Sequence, residues 1–523
     1  MILDGTNSKR MVVIINNIII DRNSNVPIYM QIKKQLESMI LNGELPQNHV
    51  LPPERSLSQH LGVNRTTVIK AYLELKADGF VESRVGSGTV VLSQLTKDVK
   101  ASKNTYIPPV RWNQLESRVF SRQVDDAVNQ LISDFAREKM ILFAAGISPY
   151  EYNDIELFRS VCDSVITKYR AKTFMPSPVD GNGELKNTVK THLKQKGIVT
   201  HNKNLMITTG SQQSIEFIAR FLIEPGDIVL MEEPTYVGAI QAFESYGARI
   251  IGIPIEQDGM KMDILEGCLL KYRPKFIYTQ PSFQNPSGIT MSMEKRKELL
   301  GLSYMYNVPI LEDDAYSELN YGKLSLPSLK SMDSNDYVIY ISSFSKTVSF
   351  SLRVGFIVAA ETVIGRFIRY KQNCDIQTST LNQLIISEFI AQGHFAKHID
   401  TIRKRYVEKR NLVAELLAAR EQELGYSFNM PEGGYFIWLQ LPKRVPAREF
   451  VKELSQRGVG VTCGDIFYPQ YSLESNNIRL NFTYPEKQDI KKGITLLQDC
   501  IANFTVKKSS AVYGNLAGVN PFI

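Results

Sequence analysis

The chain has 523 residues, too long for one ordinary domain and enough for about three units of roughly 150 residues each. Hydrophobic residues make up 43% and charged residues 22%, which argues against a disordered or fibrous chain and fits a globular protein with a large core. The net charge of +7 permits an anionic partner without demanding one. The five scattered cysteines form no CxxC pair and read as reduced cytosolic thiols, not a disulfide framework.

Lys9 and Arg10 precede a short apolar run, Met11–Ile20, that imitates a signal peptide. Asn16 and Asn17 interrupt it, Asp21 and Arg22 end it, and no small-residue cleavage site follows, so a β-strand is expected there. No run approaches the ~18 apolar residues of a membrane helix. The expected location is the cytoplasm, with no membrane partner. His394 and His398 stand four apart without an HExxH or a nearby cysteine, so no metal is expected.

Residues 26–92 read as short helices followed by a hairpin. Pro27 opens a helix running to about Leu41, Pro52-Pro53 precede Glu54–Leu61, which stops at Gly62, and Asn64 can cap Arg65–Ala77. Phe80–Glu82 and Thr89–Leu92 read as strands joined across Gly86-Ser87-Gly88. In the third helix Val68, Ala71, Tyr72 and Leu75 follow i, i+3, i+4, i+7 and face a core. Arg65, Thr66, Thr67 and Lys70 are left on the other side or at the helix start. Hydroxyls and backbone N–H groups at a helix N-terminus suit phosphate oxygens, while Arg and Lys reach base edges in a major groove. Arg55 is placed to grip a nucleic-acid backbone, and Arg84 with Gly86 and Ser87 would form a wing.

Charge alone does not separate this from a small bundle with a solvated face. The strings PxYxQI at Pro27–Ile32, LPPER at Leu51–Arg55, LGVNRTTVxxAYLELxxDGFV at Leu61–Val81 and GSGT at Gly86–Thr89 do. They closely resemble the GntR-type winged helix-turn-helix, which implies a double-stranded DNA operator as partner and a DNA-binding domain over residues 1–92. Some such proteins carry Arg two positions after the second threonine. Here Ile69 stands there, leaving base readout to Lys70.

Residues 93–139 read as a polar, lysine-bearing linker and a lead-in helix over about Trp112–Lys139. Beyond them, the strand-like runs Leu205–Thr208, Ile228–Met231, Phe276–Tyr278, Pro309–Leu311 and Val338–Ile341 alternate with helical patterns. That alternation predicts an α/β domain with a mainly parallel sheet over residues 140–505. Residues 506–523, rich in Ser, Asn and Gly, read as a flexible tail.

This domain offers what pyridoxal 5′-phosphate needs: a lysine, a phosphate cup, an acid for the ring nitrogen and a stacking ring. Thr209-Gly210-Ser211-Gln212 follows a strand and opens a helix, presenting backbone N–H groups to a phosphate. Glu232-Glu233-Pro234-Thr235-Tyr236 supplies a ring, Asn285 an amide, and Asp313 a carboxylate at a strand end, with Tyr316 close behind. Ser343, Ser345 and Lys346 supply hydroxyls and an amine, and Arg353 follows seven residues on. Singly, each has a bland reading as a surface, capping or packing residue. In this order the set resembles fold-type I aminotransferases, particularly the branch with kynurenine and aminoadipate aminotransferases.

The resemblance implies a fold-type I domain with a smaller C-terminal α/β subdomain. It implies that Lys346 forms a Schiff base with the cofactor and Asp313 pairs with its ring nitrogen. Tyr236 would stack on the ring, Asn285 and Tyr316 contact its hydroxyl, and Ser211, Gln212, Ser343, Ser345 and Arg353 hold the phosphate. Arg479 matches an arginine that grips a substrate α-carboxylate. Where family members often lend a tyrosine to the neighbouring subunit, this chain reads Pro176-Ser177-Pro178-Val179-Asp180-Gly181.

A GntR-type reader joined to such a domain resembles the MocR/GabR regulators. The implied function is a homodimeric transcription regulator in which an amino-compound effector replaces Lys346 on the cofactor as an external aldimine and alters operator binding. Two other readings stand beside it: an active aminotransferase that autoregulates, and a sensor of pyridoxal phosphate itself controlling vitamin B6 synthesis.

Overall fold

The computed structural model describes residues 18–22, 24, 26–84, 88–92, 140–144, 146–147, 149, 154–322, 325–469 and 475–504. They fall into two compact units, one within residues 1–112 and one within 113–523. The lead-in helix expected over about 112–139, the tail 506–523, and Gly86 and Ser87 of the wing lie outside the described residues.

In the first unit the expected helices are α1 (Ile28–Leu41), α2 (Glu54–Leu61) and α3 (Arg65–Ala77), followed by antiparallel β1 (Val81–Arg84) and β2 (Gly88–Val91). Asn64 caps α3, its side chain accepting from Thr66 N at 3.0 Å. Gly62 ends α2 in the left-handed region at φ +59°. Val68, Ala71, Tyr72 and Leu75 are buried with Ile32, Leu36, Ile40 and Leu57, and Tyr72 OH donates to Pro52 O at 2.8 Å.

The strand expected over Met11–Ile20 is not found in its described part: residues 18–20 form no ladder. The backbone of Ile19 and of Asp21 is satisfied by side chains instead. Gln35 bonds both Ile19 N (2.9 Å) and Ile19 O (2.7 Å), and Gln31, one helical turn away, does the same for Asp21. A β-branched segment with glutamines to pair against needs no neighbouring strand.

Among the described residues the second unit begins with β3 (Ile141–Leu142) and builds its main sheet from β4 (Leu205–Thr208), β5 (Ile228–Glu233), β6 (Arg249–Glu256), β7 (Gly259–Met260), β8 (Phe276–Thr279), β9 (Ile310–Asp314), β10 (Val338–Ser343) and β11 (Gly355–Val358). The order is β4-β11-β10-β9-β8-β5-β6-β7. The β10–β9, β9–β8, β8–β5 and β5–β6 pairs are parallel, whereas β11 runs antiparallel to both neighbours and β7 antiparallel to β6.

Strands β4, β8, β9 and β11 are buried at every position, as a sheet covered on both faces requires. One face packs Ile215, Ile218, Phe243 and Phe367 from helices; the other packs Leu265, Leu269, Leu299 and Leu302. A smaller antiparallel sheet, β12 (Ser427–Phe428), β13 (Phe436–Gln440), β16 (Asn477–Asn481) and β15 (Thr462–Cys463), packs with the helices Ala447–Gln456 and Lys487–Ala502. There β14 (Val459–Gly460) pairs in parallel with β3.

Strand β9 runs three residues beyond the expected Leu311 end, through Glu312, Asp313 and Asp314. Three successive acids are a poor strand signal. They are tolerated because each finds partners at a strand end. Glu312 accepts from Leu329 N and Lys330 N, both at 2.8 Å, and Asp314 accepts from Lys196 Nζ at 3.0 Å and Ser317 Oγ at 2.7 Å.

Candidate functional site

In an open α/β sheet the C-terminal ends of parallel strands face a crevice. Here the segments leaving β4, β5, β8, β9 and β10 meet around a cavity of about 380 Å³. It is lined by Ser211, Gln212, Tyr236, Asn285, Asp313, Tyr316, Ser343, Ser345, Lys346, Arg353 and Arg479, every cofactor or carboxylate candidate from the sequence. These residues span almost 270 positions, and only the sheet order brings them together.

At one end Gly210 precedes the helix Ser211–Leu222 with φ +91°, and a Cβ there would stand 2.6 Å from Arg353 Nη2. No side chain caps this helix, so its first N–H groups remain for an anion. Arg353 Nη1 donates to Ser345 Oγ (3.3 Å) and its Nη2 to Thr209 O (3.3 Å). Ser343 Oγ lies 3.0 Å from Ser345 Oγ. Tyr236 OH donates to Gln212 Oε1 at 3.0 Å, and burial pushes its pKa up to about 12.

In the middle, Asp313 is buried. Its Oδ2 accepts from Tyr278 OH (2.8 Å) and Gln280 Nε2 (2.9 Å), while its Oδ1 has no partner. Burial raises its pKa to about 6, against the pull of those two donors. Lys346 Nζ donates to Gly146 O. Burial first, then the charges of Arg479 and Arg353, lower its pKa to about 8, while Asp313 works in the opposite direction. Tyr316 packs edge-on to Tyr435 (5.4 Å between ring centres) and Phe436 (5.8 Å).

At the other end Arg479, on β16, donates through Nη1 to Asn285 Oδ1 (2.9 Å) and through Nη2 to Ala144 O (3.1 Å) and Thr462 Oγ1 (3.3 Å). Its Nε is buried without a partner. The guanidinium lies 4.3 Å from the Phe436 ring centre and 4.8 Å from that of Phe467, and burial lowers its pKa to about 10.

An unpartnered buried carboxylate oxygen and an unpartnered guanidinium N–H are costly, on the order of several kcal/mol where charge is involved. They are the two groups that a pyridinium N–H and a carboxylate would satisfy. A helix N-terminus with an arginine and three serines fits a phosphate. The donor set therefore fits pyridoxal phosphate.

Sequence reasoning missed Tyr278 and Gln280, which hold Asp313, and Phe350, Ile466 and Phe467, which line the cavity. Tyr278 and Gln280 flank Thr279 at the end of β8, and only the β8–β9 pairing reveals what they face.

In the first unit, Arg55, Arg65, Thr66, Lys70 and Arg84 are exposed and Thr67 is half-buried. Arg65 and Thr66 sit in the first turn of α3 and Arg55 in the first turn of α2. Arg65 pairs with Glu54 at 3.6 Å, Arg84 with Glu82 at 2.6 Å, and the Lys70 amine stands 4.0 Å over the Tyr29 ring.

Residues 138–496 match the family "Aminotransferase class I and II", and residues 28–91 match "Bacterial regulatory proteins, gntR family". An uncharacterized HTH-type transcriptional regulator of Bacillus subtilis, YisV, is 30% identical over 90% of this chain and 96% of its own length. The probable rhizopine catabolism regulatory protein MocR of Rhizobium meliloti is 32% identical over 76% of this chain and 79% of its own. Among solved structures, kynurenine aminotransferase of Pyrococcus horikoshii superposes with a TM-score of 0.71 at 32% identity, covering 75% of this chain and 98% of that one. The chain belongs to the class I and II aminotransferase family and carries a gntR-family DNA-binding domain at its N-terminus, the combination found in MocR-type transcription regulators.

Proposed function

We propose that this regulator senses an amino compound through pyridoxal phosphate held in the Lys346 cavity, and that occupancy by the effector changes operator binding. The observation that carries the reading is the pair of unpartnered buried atoms, Asp313 Oδ1 and Arg479 Nε, in the wall of one cavity that also holds a lysine and an anion cup. When bound, the cofactor supplies an aldehyde carbon that exchanges between amines. Lys346 provides the resident amine, Asp313 holds a proton at the ring nitrogen, and the serines, Gln212 and Arg353 hold the phosphate. Tyr236 covers the ring, with Asn285 and Tyr316 toward its hydroxyl, and Arg479 receives the effector's carboxylate.

We further infer a cytoplasmic homodimer. Exposed Phe174, Met175 and Ile376 (72, 59 and 67% accessible) support the homodimer: Thr380 Oγ1 donates to Met175 O at 2.8 Å and Ser177 N to Gln377 Oε1, which holds the two segments that carry them together. An apolar group of this kind on a folded unit marks an interaction surface.

The test is a panel of amino acids, D-amino acids, ω-amino acids and dipeptides, read by the cofactor's visible absorption and by operator binding. One member should shift both, and Arg479→Ala should reduce both responses together while leaving the visible band. A second reading, a working aminotransferase, is favoured by the lowered pKa of Lys346, which suits a base that moves an α-proton. Conversion of the active compound to its keto acid at ~1–10³ per second would replace the sensor with that enzyme. Operator binding that responds to pyridoxal phosphate alone would instead make the cofactor the signal.

A further inference from the structure

Gln280 uses both ends of its amide inside the cavity wall. Its Nε2 donates to Asp313 Oδ2 at 2.9 Å, and its Oε1 accepts from Asn285 N at 3.0 Å. Asn285 then accepts from Arg479 Nη1 through its own side chain at 2.9 Å. One buried side chain thus joins the carboxylate in the middle of the site to Asn285, which meets the guanidinium at one end.

The end torsion of an aspartate is broad and two-fold, so a buried carboxylate takes its plane from its partners. Asp313 has two, Tyr278 and Gln280, and both donate to the same oxygen, leaving Oδ1 free. Donors favour the ionised over the protonated carboxyl. The titratable groups that also face Asp313 divide. Lys346 favours its charge, Asp314 and Glu232 oppose it, and Tyr236, Tyr278 and Tyr316 are neutral at working pH. The margin that keeps Asp313 ionised therefore leans on the two donors.

We propose that Gln280 is a positioning residue that keeps Asp313 ionised and turned toward the ring nitrogen of pyridoxal phosphate, and that it ties this orientation to Asn285 and the Arg479 clamp. The proposal rests on the reading of Asp313 as the ring nitrogen's partner. It assigns the hydrogen-bonded chain Asp313–Gln280–Asn285–Arg479 as the link between the cofactor and effector ends.

The test measures the dissociation constant of pyridoxal phosphate from the full-length apo-protein across pH. In the wild type affinity falls as pH drops through about 6, where Asp313 of the apo-protein takes up a proton. In Gln280→Leu and Gln280→Met the fall begins about one pH unit higher, the scale of one lost donor to a carboxylate, with a several-fold weaker affinity at neutral pH. Gln280→Glu adds a second fall on the alkaline side. Protonated, it still donates to Asp313 and matches the wild type at acid pH; ionised, it repels Asp313, and affinity drops as pH rises.

Wild-type profiles in the Leu and Met variants, or a Glu variant that follows them, would show that Gln280 only fills space. If the wild type has no inflection and Asp313→Asn binds the cofactor as tightly as wild type, the ring-nitrogen reading itself fails, and the proposal with it.

Discussion

Lys346 illustrates how a common residue acquires an uncommon chemistry. An amine attacks a carbonyl only when neutral. At a pKa of about 8, about a tenth of Lys346 is neutral at pH 7, against about one in 2,500 for a lysine at the ordinary ~10.4. The rate at which apo-protein acquires its visible band from pyridoxal phosphate should therefore climb nearly tenfold per pH unit at acid pH and level off above about 8. Arg479 pushes the lysine down, so in Arg479→Ala the levelling point should move up. Lys346→Ala should give neither the band nor a borohydride-reducible adduct. A wild-type rate that keeps climbing toward ~10.4 would mean the cavity does not perturb this amine.

At the scale of elements, the start of the helix Ser211–Leu222 and the Arg353 guanidinium beside it depend on one backbone conformation. Gly210 holds φ +91°, ψ 167°, a region essentially closed to other residues and worth about 1–3 kcal/mol of strain if forced on them. A methyl there would also meet the Arg353 guanidinium. Gly210→Ala should lower the melting temperature by several degrees and weaken pyridoxal phosphate at least tenfold. A variant that melts lower yet keeps wild-type cofactor affinity would detach Arg353 and the helix start from the phosphate.

These elements are largely legible in the sequence, because their signals are local. Asn64 before α3, Gly62 after α2, and the strings around Gly210 and Lys346 each announce their geometry within a few residues. What stayed hidden was non-local. Asp313 and Asp314 extend β9 because Lys196 and Ser317 meet Asp314, and Tyr278 and Gln280 matter only because β8 lies beside β9. Ile18–Ile20 misled because a β-branched run reports affinity for a ladder, and two glutamines of α1 served instead.

At the scale of the whole molecule, two compact units carry two chemistries, and mutations should sort cleanly between them. Among the described residues of the first unit, Arg65 and Lys70 are exposed cations on α3, and neither is tightly committed. Arg65 is 3.6 Å from Glu54, an exposed pair worth at most ~1 kcal/mol, and Lys70 rests on Tyr29 for ~0.5–1 kcal/mol. A base contact supplies ~1–3 kcal/mol, enough to release either side chain onto DNA. Arg65→Ala or Lys70→Ala should therefore weaken operator binding roughly tenfold where the lost contact is to a base. Where it is to a phosphate, binding should weaken alike on all sequences, with a salt dependence shallower by about one ion. The cofactor band should be unchanged in both variants, since every residue lining its cavity belongs to the second unit. Full, steeply salt-dependent operator binding by the double variant would take α3 out of the reading role.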